Sequence, residues 1–176
     1  MNNNKEFDKF SLQVLTKQIA EKHATELASL ADLIPQVTYT EQEILAESKG
    51  KRILFGKWDH SLVLFDGDKP IAVLIAYERM SEENDQYPQN TIYLSELAVD
   101  KNYQGKGIAK KLLGNFLVKN NKVGMKHLDG NLNYSVQTNS ADWNIHVQNL
   151  YKSFGFTQRT TKNYEDRMDV ILGLKA

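Results

Sequence analysis

Three lysines crowd the start of a segment that otherwise reads as a helix. In the stretch YQGKGIAKKLL, Gly105 and Gly107 indicate a tight turn, and apolar residues recur at helical spacing from Ile108 onward. No acid accompanies the lysines, which are Lys106, Lys110 and Lys111. A helix N-terminus already carries about half a positive charge, so acids normally gather there. The pattern therefore predicts a bound anion, held by backbone amides that the glycines leave accessible.

Two other phosphate-binding turns do not fit this segment. A P-loop requires Gly-Lys followed by Ser or Thr, whereas Lys106 is followed by Gly107. A dinucleotide-binding turn requires a third glycine where Lys110 stands. The remaining alternative is a plain strand-to-helix turn with solvated lysines. That alternative explains the glycines well but leaves the crowding of positive charge unexplained.

A second pattern follows near the C-terminal end. The stretch NIHVQNLYKSFGF predicts a helix with Ser140 or Asp142 as its cap, Trp143 on its apolar face and Gly155 in a left-handed terminal position. Its polar residues Asn144 and Tyr151 are seven positions apart, which is two helical turns.

Together these two stretches resemble the signature motifs of the GNAT superfamily of N-acetyltransferases. The first matches Gln/Arg-x-x-Gly-x-Gly/Ala through Gln104, Gly107 and Ala109. The second matches an Asn-x-x-Ala-x-x-Leu-Tyr-x-x-x-Gly-Phe helix, with Val147 in the place of alanine. The resemblance extends over the predicted order of strands and helices.

The resemblance implies that acetyl-CoA is the cosubstrate and that it binds at these motifs. Backbone amides from Gly105 to Lys110 would hold the pyrophosphate. The strand TIYLSELAV would splay from its neighbour and pair with the pantetheine arm. The residues implied in coenzyme binding are Leu97, Ala98, Val99, Gln104, Gly105, Lys106, Gly107, Ile108, Ala109, Lys110, Asn144 and Tyr151.

The implied reaction transfers an acetyl group to a primary amine of a small molecule or peptide, by direct attack through a tetrahedral intermediate. Tyr151 would protonate the departing thiolate, and the alternative for this residue is a core aromatic. Glu96 would accept the proton of the amine, directly or through water, and its alternative is an ordinary strand glutamate. Glu78 is the reserve candidate for the base.

The segments that would face the acceptor are acidic, which favours a cationic amine. The alternative is that these acids only keep the loops soluble. Residues 1–100 contain 10 basic and 17 acidic side chains, against 12 and 5 in residues 101–176. The acids concerned are Glu41, Glu43, Glu47, Glu78, Glu82, Glu83 and Asp85.

Periodicity and turn signals predict the elements that must position these residues. The order of these elements indicates an α+β or mixed α/β class. The resemblance implies a GNAT-type fold, with a mixed, mostly antiparallel sheet of about seven strands flanked by about four helices. Residues 10–176 would form one acetyltransferase domain behind a loosely ordered segment 1–9. The predicted elements are strands at 10–16, 91–99 and 127–138, helices at 17–33 and from Thr40, a hairpin at 60–80 around Asp66-Gly67-Asp68, the two motif helices, and two final strands.

Composition excludes several other classes of protein. The 176 residues include no cysteine, so disulfides, thiolate zinc sites and a cysteine nucleophile are excluded. The zero net charge argues against a nucleic-acid partner, and no apolar stretch predicts a membrane span. We expect no metal, a cytoplasmic location and, from the resemblance, a homodimer. The rival function is a non-catalytic sensor that binds acyl-CoA. A nucleotide hydrolase or kinase is not favoured, because the serine or threonine and the acidic metal ligands that it would need are not in place.

Overall fold

The computed structural model describes residues 7, 9–34, 39–50, 52–79, 91–123 and 136–174. Nine strands are described: β1 Ser11–Val14, β2 Ser48–Lys49, β3 Arg52–Ile53, β4 Leu62–Asp66, β5 Lys69–Arg79, β6 Thr91–Val99, β7 Val136–Ala141, β8 Thr157–Asn163 and β9 Met168–Leu174. Six helices are described: α1 Lys17–Lys22, α2 Ala24–Ala31, α3 Glu41–Leu45, α4 Lys57–His60, α5 Ile108–Val123 and α6 Ile145–Lys152, with a short 3₁₀ helix at Lys101–Tyr103.

Seven of the strands form one sheet in the order β1-β4-β5-β6-β7-β9-β8. Every neighbouring pair is antiparallel except β6 and β7, which are parallel. The central strands are buried on both faces, as expected for strands covered by helices on either side. The predicted fold class, a mixed and mostly antiparallel sheet of about seven strands, is confirmed.

Each face of the sheet carries its own hydrophobic core. One core packs the apolar stripe of α5, including Leu112 and Phe116, against residues of β4, β5 and β6. The other packs α1, α2 and α3 against the opposite face, through residues such as Leu27 and Ile44. Both cores contain fully buried leucine and isoleucine side chains, each of which contributes about 1.5–3 kcal/mol when removed from water. The sheet is therefore held between two helical layers.

Several predicted elements differ from those observed. The single helix expected at 17–33 is broken at His23, whose backbone is not helical (φ −121°, ψ 26°) and whose ring packs 5.3 Å from that of Phe65. The expected caps Ser140 and Asp142 were wrong, because residues up to Ala141 are paired with β9 and α6 begins only at Ile145. The hairpin β2–β3 and helix α4 were not predicted.

Other predictions agree with the structure or lie beyond its described residues. The hairpin β4–β5 and the strand β6 were predicted with nearly the observed bounds, and Thr40 caps α3 as expected. Gly155 has the expected left-handed backbone (φ 88°). Most of the segment 1–9, the loop 81–90 and the first part of the strand expected at 127–138 lie outside the described residues.

Candidate active site

Strands β6 and β7 are paired over only a short length. The parallel register joins Ile92 to Val136 and Tyr93 to Gln137, and no further pair follows, although β6 continues to Val99 against β5. A cavity of about 420 Å³ lies where the pairing ends, and both strands contribute to its lining. Its size is in the usual range for a small-molecule site. The separation of these strands agrees with the splay that the resemblance implied.

A β-bulge on β6 lies beside this cavity. Leu94 is paired with Ala76 and Glu96 with Ile75, so Ser95 is the extra residue between them. A bulge changes the direction in which the following side chains point, and bulges are common next to active sites. All five residues from Ser95 to Val99 line the cavity, and they include the predicted Leu97, Ala98 and Val99.

The glycine turn lies at one end of the same site. Gly105 and Gly107 have left-handed backbones (φ 74° and 77°), and a Cβ atom added to either would have no neighbour within 4 Å. The first hydrogen bond of α5 joins the amide of Lys111 to the oxygen of Gly107 (3.1 Å), so the amides of residues 107–110 precede the helical ladder. The geometry fits a diphosphate, which can approach an open turn closely.

Some side chains around the turn are anchored in the fold, and others are exposed to solvent. Gln104 lines the cavity and donates its amide Nε2 to the oxygen of Val99 (2.9 Å), which fixes the turn to the end of β6. Lys106 and Lys110 are exposed, and Lys106 Nζ lies 5.3 Å from the centre of the Tyr103 ring. Ile108 is buried and Ala109 half-buried, so their side chains anchor the start of α5. The residues that the resemblance implied as diphosphate ligands thus lie together on one turn.

Asn144 and Tyr151 both line the cavity, from the two ends of α6. Asn144 is the N-cap, and its Oδ1 accepts the amide of Val147 (3.3 Å), which leaves its NH₂ group to donate elsewhere. Tyr151 is 3% exposed. Burial raises the pKa of its phenol, against an opposing hydrogen bond with Thr138. Tyr151 is therefore a neutral O–H donor at working pH.

Glu96 is a buried carboxylate that lines the cavity, with 7% of its surface exposed. Its Oε1 accepts hydrogen bonds from the hydroxyl of Tyr39 (2.6 Å) and from Oγ of Ser95 (2.9 Å). Burial raises the pKa of Glu96 to about 7, and the two hydrogen bonds act in the opposite direction. A carboxylate with such a pKa is a far better proton acceptor than an exposed glutamate.

The reserve base Glu78 is placed elsewhere. Its Oε1 lies 3.0 Å from Nε2 of His60, whose other ring nitrogen bonds the side chain of Asn120 on α5. Glu78 is not among the residues that line the cavity. The structure therefore brings Glu96, but not Glu78, together with Tyr151 and Asn144.

The acids that the sequence associated with the acceptor have partners within the fold. Glu43 closes the capping box with Thr40, Glu41 accepts from Thr25, and Glu47 pairs with Lys17. None of the three lines the large cavity. Glu82, Glu83 and Asp85 lie outside the described residues.

A model of the acetyltransferase (GNAT) family matches residues 25–156, which is most of the chain. The chain belongs to this family. The match includes both sequence motifs and the diverging strands. No curated protein matches this GNAT acetyltransferase sequence closely enough to count as a relative.

Solved structures share the fold of this GNAT family member at low sequence identity. A chain from the NatC complex bound to Gag peptide and CoA has a TM-score of 0.70 and 18% identity, and the match covers 95% of this chain and 98% of that one. The ribosomal-protein-S18-alanine N-acetyltransferase of Escherichia coli has a TM-score of 0.66 and 17% identity, over 94% and 93%. Arabidopsis thaliana Naa50, in complex with a bisubstrate analogue, has a TM-score of 0.67 and 18% identity, over 96% and 99%.

Some residues of the GNAT site were missed from the sequence. Trp143, expected on the apolar face of a helix, precedes α6, is 53% exposed and lines the cavity. Thr138 lines the cavity from β7. Tyr39 contacts Glu96 from 57 residues away, and no local pattern connects the two. Only the tertiary fold brings these side chains to the site.

Two further features, a metal cluster and a membrane-spanning helix, can be assessed in the described residues. They contain no group of three or more His, Asp or Glu side chains placed to hold a metal ion. Within the same part of the chain, no helix is both long and apolar enough to cross a membrane.

Proposed function

We propose that the protein transfers the acetyl group of acetyl-CoA to a primary amine. One observation carries this proposal: Glu96 and Tyr151, a buried carboxylate and a buried phenol, line one cavity between diverging strands. The open glycine turn at the end of that cavity supports the coenzyme part of the proposal.

Acetyl-CoA supplies an activated acyl group as a thioester, and the residues of the chain supply orientation and proton transfer. The amides of residues 105–110 hold the diphosphate, and the unpaired edge of β6 holds the pantetheine arm beside Asn144. Glu96 takes the proton of the incoming ammonium, so that the neutral amine can attack the carbonyl carbon directly. Tyr151 gives its proton to the sulfur as the bond between the sulfur and the acyl carbon breaks. The nitrogen, now bonded to the acyl carbon, loses its second proton, which restores the Tyr151 hydroxyl, and Glu96 releases its proton to solvent.

The directions of the two pKa shifts support these proton-transfer roles. Glu96, with a pKa of about 7, is ionised in a large fraction of molecules at neutral pH and still basic enough to accept a proton. Tyr151 has a raised pKa and remains protonated until the thiolate departs. A pair of titratable groups, one that accepts a proton and one that donates a proton, is the usual arrangement in acid–base catalysis.

The acceptor is proposed as a small-molecule or peptide amine. The NatC structure contains a Gag peptide, the Naa50 structure contains the bisubstrate analogue CoA-Ac-MVNAL, and the Escherichia coli enzyme is named for an alanine of ribosomal protein S18. A cationic acceptor remains a prediction from the sequence, and the internal partners of Glu41, Glu43 and Glu47 give it little support. A cytoplasmic location and a homodimer likewise remain predictions.

An assay of thiol release with a panel of amines tests the function. The panel contains peptides with different N-terminal residues, lysine, a polyamine and amino acids, each with acetyl-CoA. We expect release of CoA that depends on the amine, together with a product heavier by one acetyl group in mass spectrometry. Binding of acetyl-CoA without transfer to any amine would instead favour the acyl-CoA sensor.

A further inference from the structure

The hydroxyl of Tyr39 reaches Glu96 from the helical layer beside the sheet. Tyr39 and Ser95 both donate to the same oxygen, Oε1. In the described part of the chain, no residue donates to Oε2. A carboxylate held through one oxygen keeps the other available to accept a proton, and its orientation is fixed by the two donors.

We propose that Tyr39 is a positioning residue for the general base Glu96, and that its hydroxyl fixes Oε1 so that Oε2 faces the amine. This inference rests on the function proposed above. Ser95 is its partner in that task. Tyr39 acts through Glu96 and touches no reacting atom.

The main chain around Tyr39 is fixed by an unusual set of contacts. The next residue, Thr40, caps α3 and forms a capping box with Glu43. The other end of α3 is held by Lys57, whose ammonium donates to the oxygens of Glu43 (3.3 Å), Ile44 (2.8 Å) and Ala46 (2.6 Å). Because a helix of five residues is marginal by itself, these contacts are what keep Tyr39 in place.

Lys57 is itself 2% exposed, and burial lowers the pKa of its ammonium to about 8. Burying an amine is costly unless its donors are bonded, and here three carbonyl oxygens receive them. Such a costly arrangement at the base of α3 is consistent with a segment whose position must be accurate. It carries no catalytic role of its own.

Tyr39 lines a second cavity, of about 50 Å³, and so is not packed only against other side chains. Tyr39, Ser95, Lys49 and Tyr77 contribute to its lining, and the last three also line the large cavity. The volume is enough for one or more water molecules between polar groups. The contact between Tyr39 and Glu96 therefore lies in a polar region next to the active site.

The charged and titratable groups around Glu96 come from several elements. Burial has the largest effect on its pKa and raises it, whereas the hydrogen bond from Tyr39 and that from Ser95 lower it. Lys49 of β2 lowers the pKa further, and Glu43 of α3 raises it. Tyr151 of α6 and Tyr77 of β5 line the same cavity. The Tyr39 hydroxyl is the donor whose removal should alter Glu96 most.

The test is the pH dependence of kcat/KM for the best amine of the panel, at saturating acetyl-CoA. We expect the wild-type rate to fall below about pH 7. In Tyr39→Phe, which keeps the ring, this acidic limb moves to higher pH by about one unit, because a hydrogen bond to the charged carboxylate is lost. Ser95→Ala moves it in the same direction but less. KM for acetyl-CoA is unchanged, because Tyr39 does not line the large cavity.

A double variant separates positioning from general destabilisation. Glu96→Gln removes the titrating group, so Tyr39→Phe should have no further effect on the pH profile in that background. An unchanged acidic limb in Tyr39→Phe, or one moved to lower pH, overturns the inference even if the wild type is an active acetyltransferase. Absence of acetyl transfer by the wild type contradicts the proposed function instead, so the two failures are distinguishable.

Discussion

Thr138 donates a hydrogen bond from Oγ1 to the carbonyl oxygen of Leu94 (3.0 Å) at the point where the pairing of β6 and β7 ends. Thr138 is 2% exposed and lines the same cavity as Tyr151. Its hydroxyl acts to lower the pKa of the Tyr151 phenol, against the larger effect of burial. One buried side chain thus marks the start of the cleft and influences the candidate acid.

Replacing Tyr151 with phenylalanine should separate coenzyme binding from catalysis. The substitution removes one hydroxyl and keeps the ring that packs 5.3 Å from that of Phe156. We expect kcat to fall by about 10²- to 10⁴-fold, because the thiolate would leave without a proton donor. Calorimetry should show nearly unchanged affinity for acetyl-CoA. The control is Tyr164→Phe, at an exposed tyrosine outside both cavities. Equal rates in the two variants would contradict the role of Tyr151.

The glycine turn allows a matched comparison between two positions with the same backbone strain. Gly107 and Gly67 both have left-handed backbones, with φ of 77° and 59°, and open space where a side chain would be added. Gly107→Glu and Gly67→Glu should each cost about 1–2 kcal/mol of stability. Only Gly107→Glu should weaken acetyl-CoA binding, by about 10-fold or more, since its carboxylate would repel the diphosphate. Calorimetry measures the affinity for acetyl-CoA, and thermal melts measure the stability. Equal affinities of the two variants for acetyl-CoA would exclude the turn as the diphosphate site.

Local patterns were sufficient to predict the elements that end in turns and caps. The strand β6 was predicted with its observed bounds, because β-branched and apolar residues continue up to the turn after Val99. The capping box at Thr40 and Glu43 and the left-handed Gly155 are likewise encoded within a few residues. Glycine spacing alone located the open turn before α5.

Long-range contacts account for what the sequence could not predict. The start of α6 depends on β9, since pairing of Ser140 and Ala141 with that strand overrides their capping tendency. The pairing of Tyr39 with Glu96 depends on the packing of α3 against the sheet, and no periodicity contains it. The resemblance had already named Glu96 as the base, but its raised pKa arises from burial in the folded chain and could not be predicted from the strand sequence.

Intrinsic fluorescence should report coenzyme binding through one of the two tryptophans. Trp143 is 53% exposed and lines the large cavity, next to Asn144. Trp58 lies outside that cavity and donates its Nε1 to Glu47 (2.8 Å). We expect acetyl-CoA to change the emission of the wild type and of Trp58→Phe, because the coenzyme covers the indole of Trp143. The change should disappear in Trp143→Phe, and its persistence there would mean that the coenzyme binds elsewhere.

Glu96 should make the folded protein less stable at alkaline pH, which is the expected cost of a buried base. Its pKa rises from an ordinary value of 4.5 in the unfolded chain to about 7 in the fold, so the native state binds the proton more tightly. The contribution to stability is therefore complete below pH 4.5 and is lost as pH rises through 7. Glu96→Gln does not titrate, so at pH 8 it should exceed the wild type by at most about 3 kcal/mol, with no gain at pH 4. Urea unfolding at both pH values measures this difference directly, because every other titrating group is common to both proteins. A variant less stable than the wild type at pH 8 would show that burial does not destabilise the ionised carboxylate.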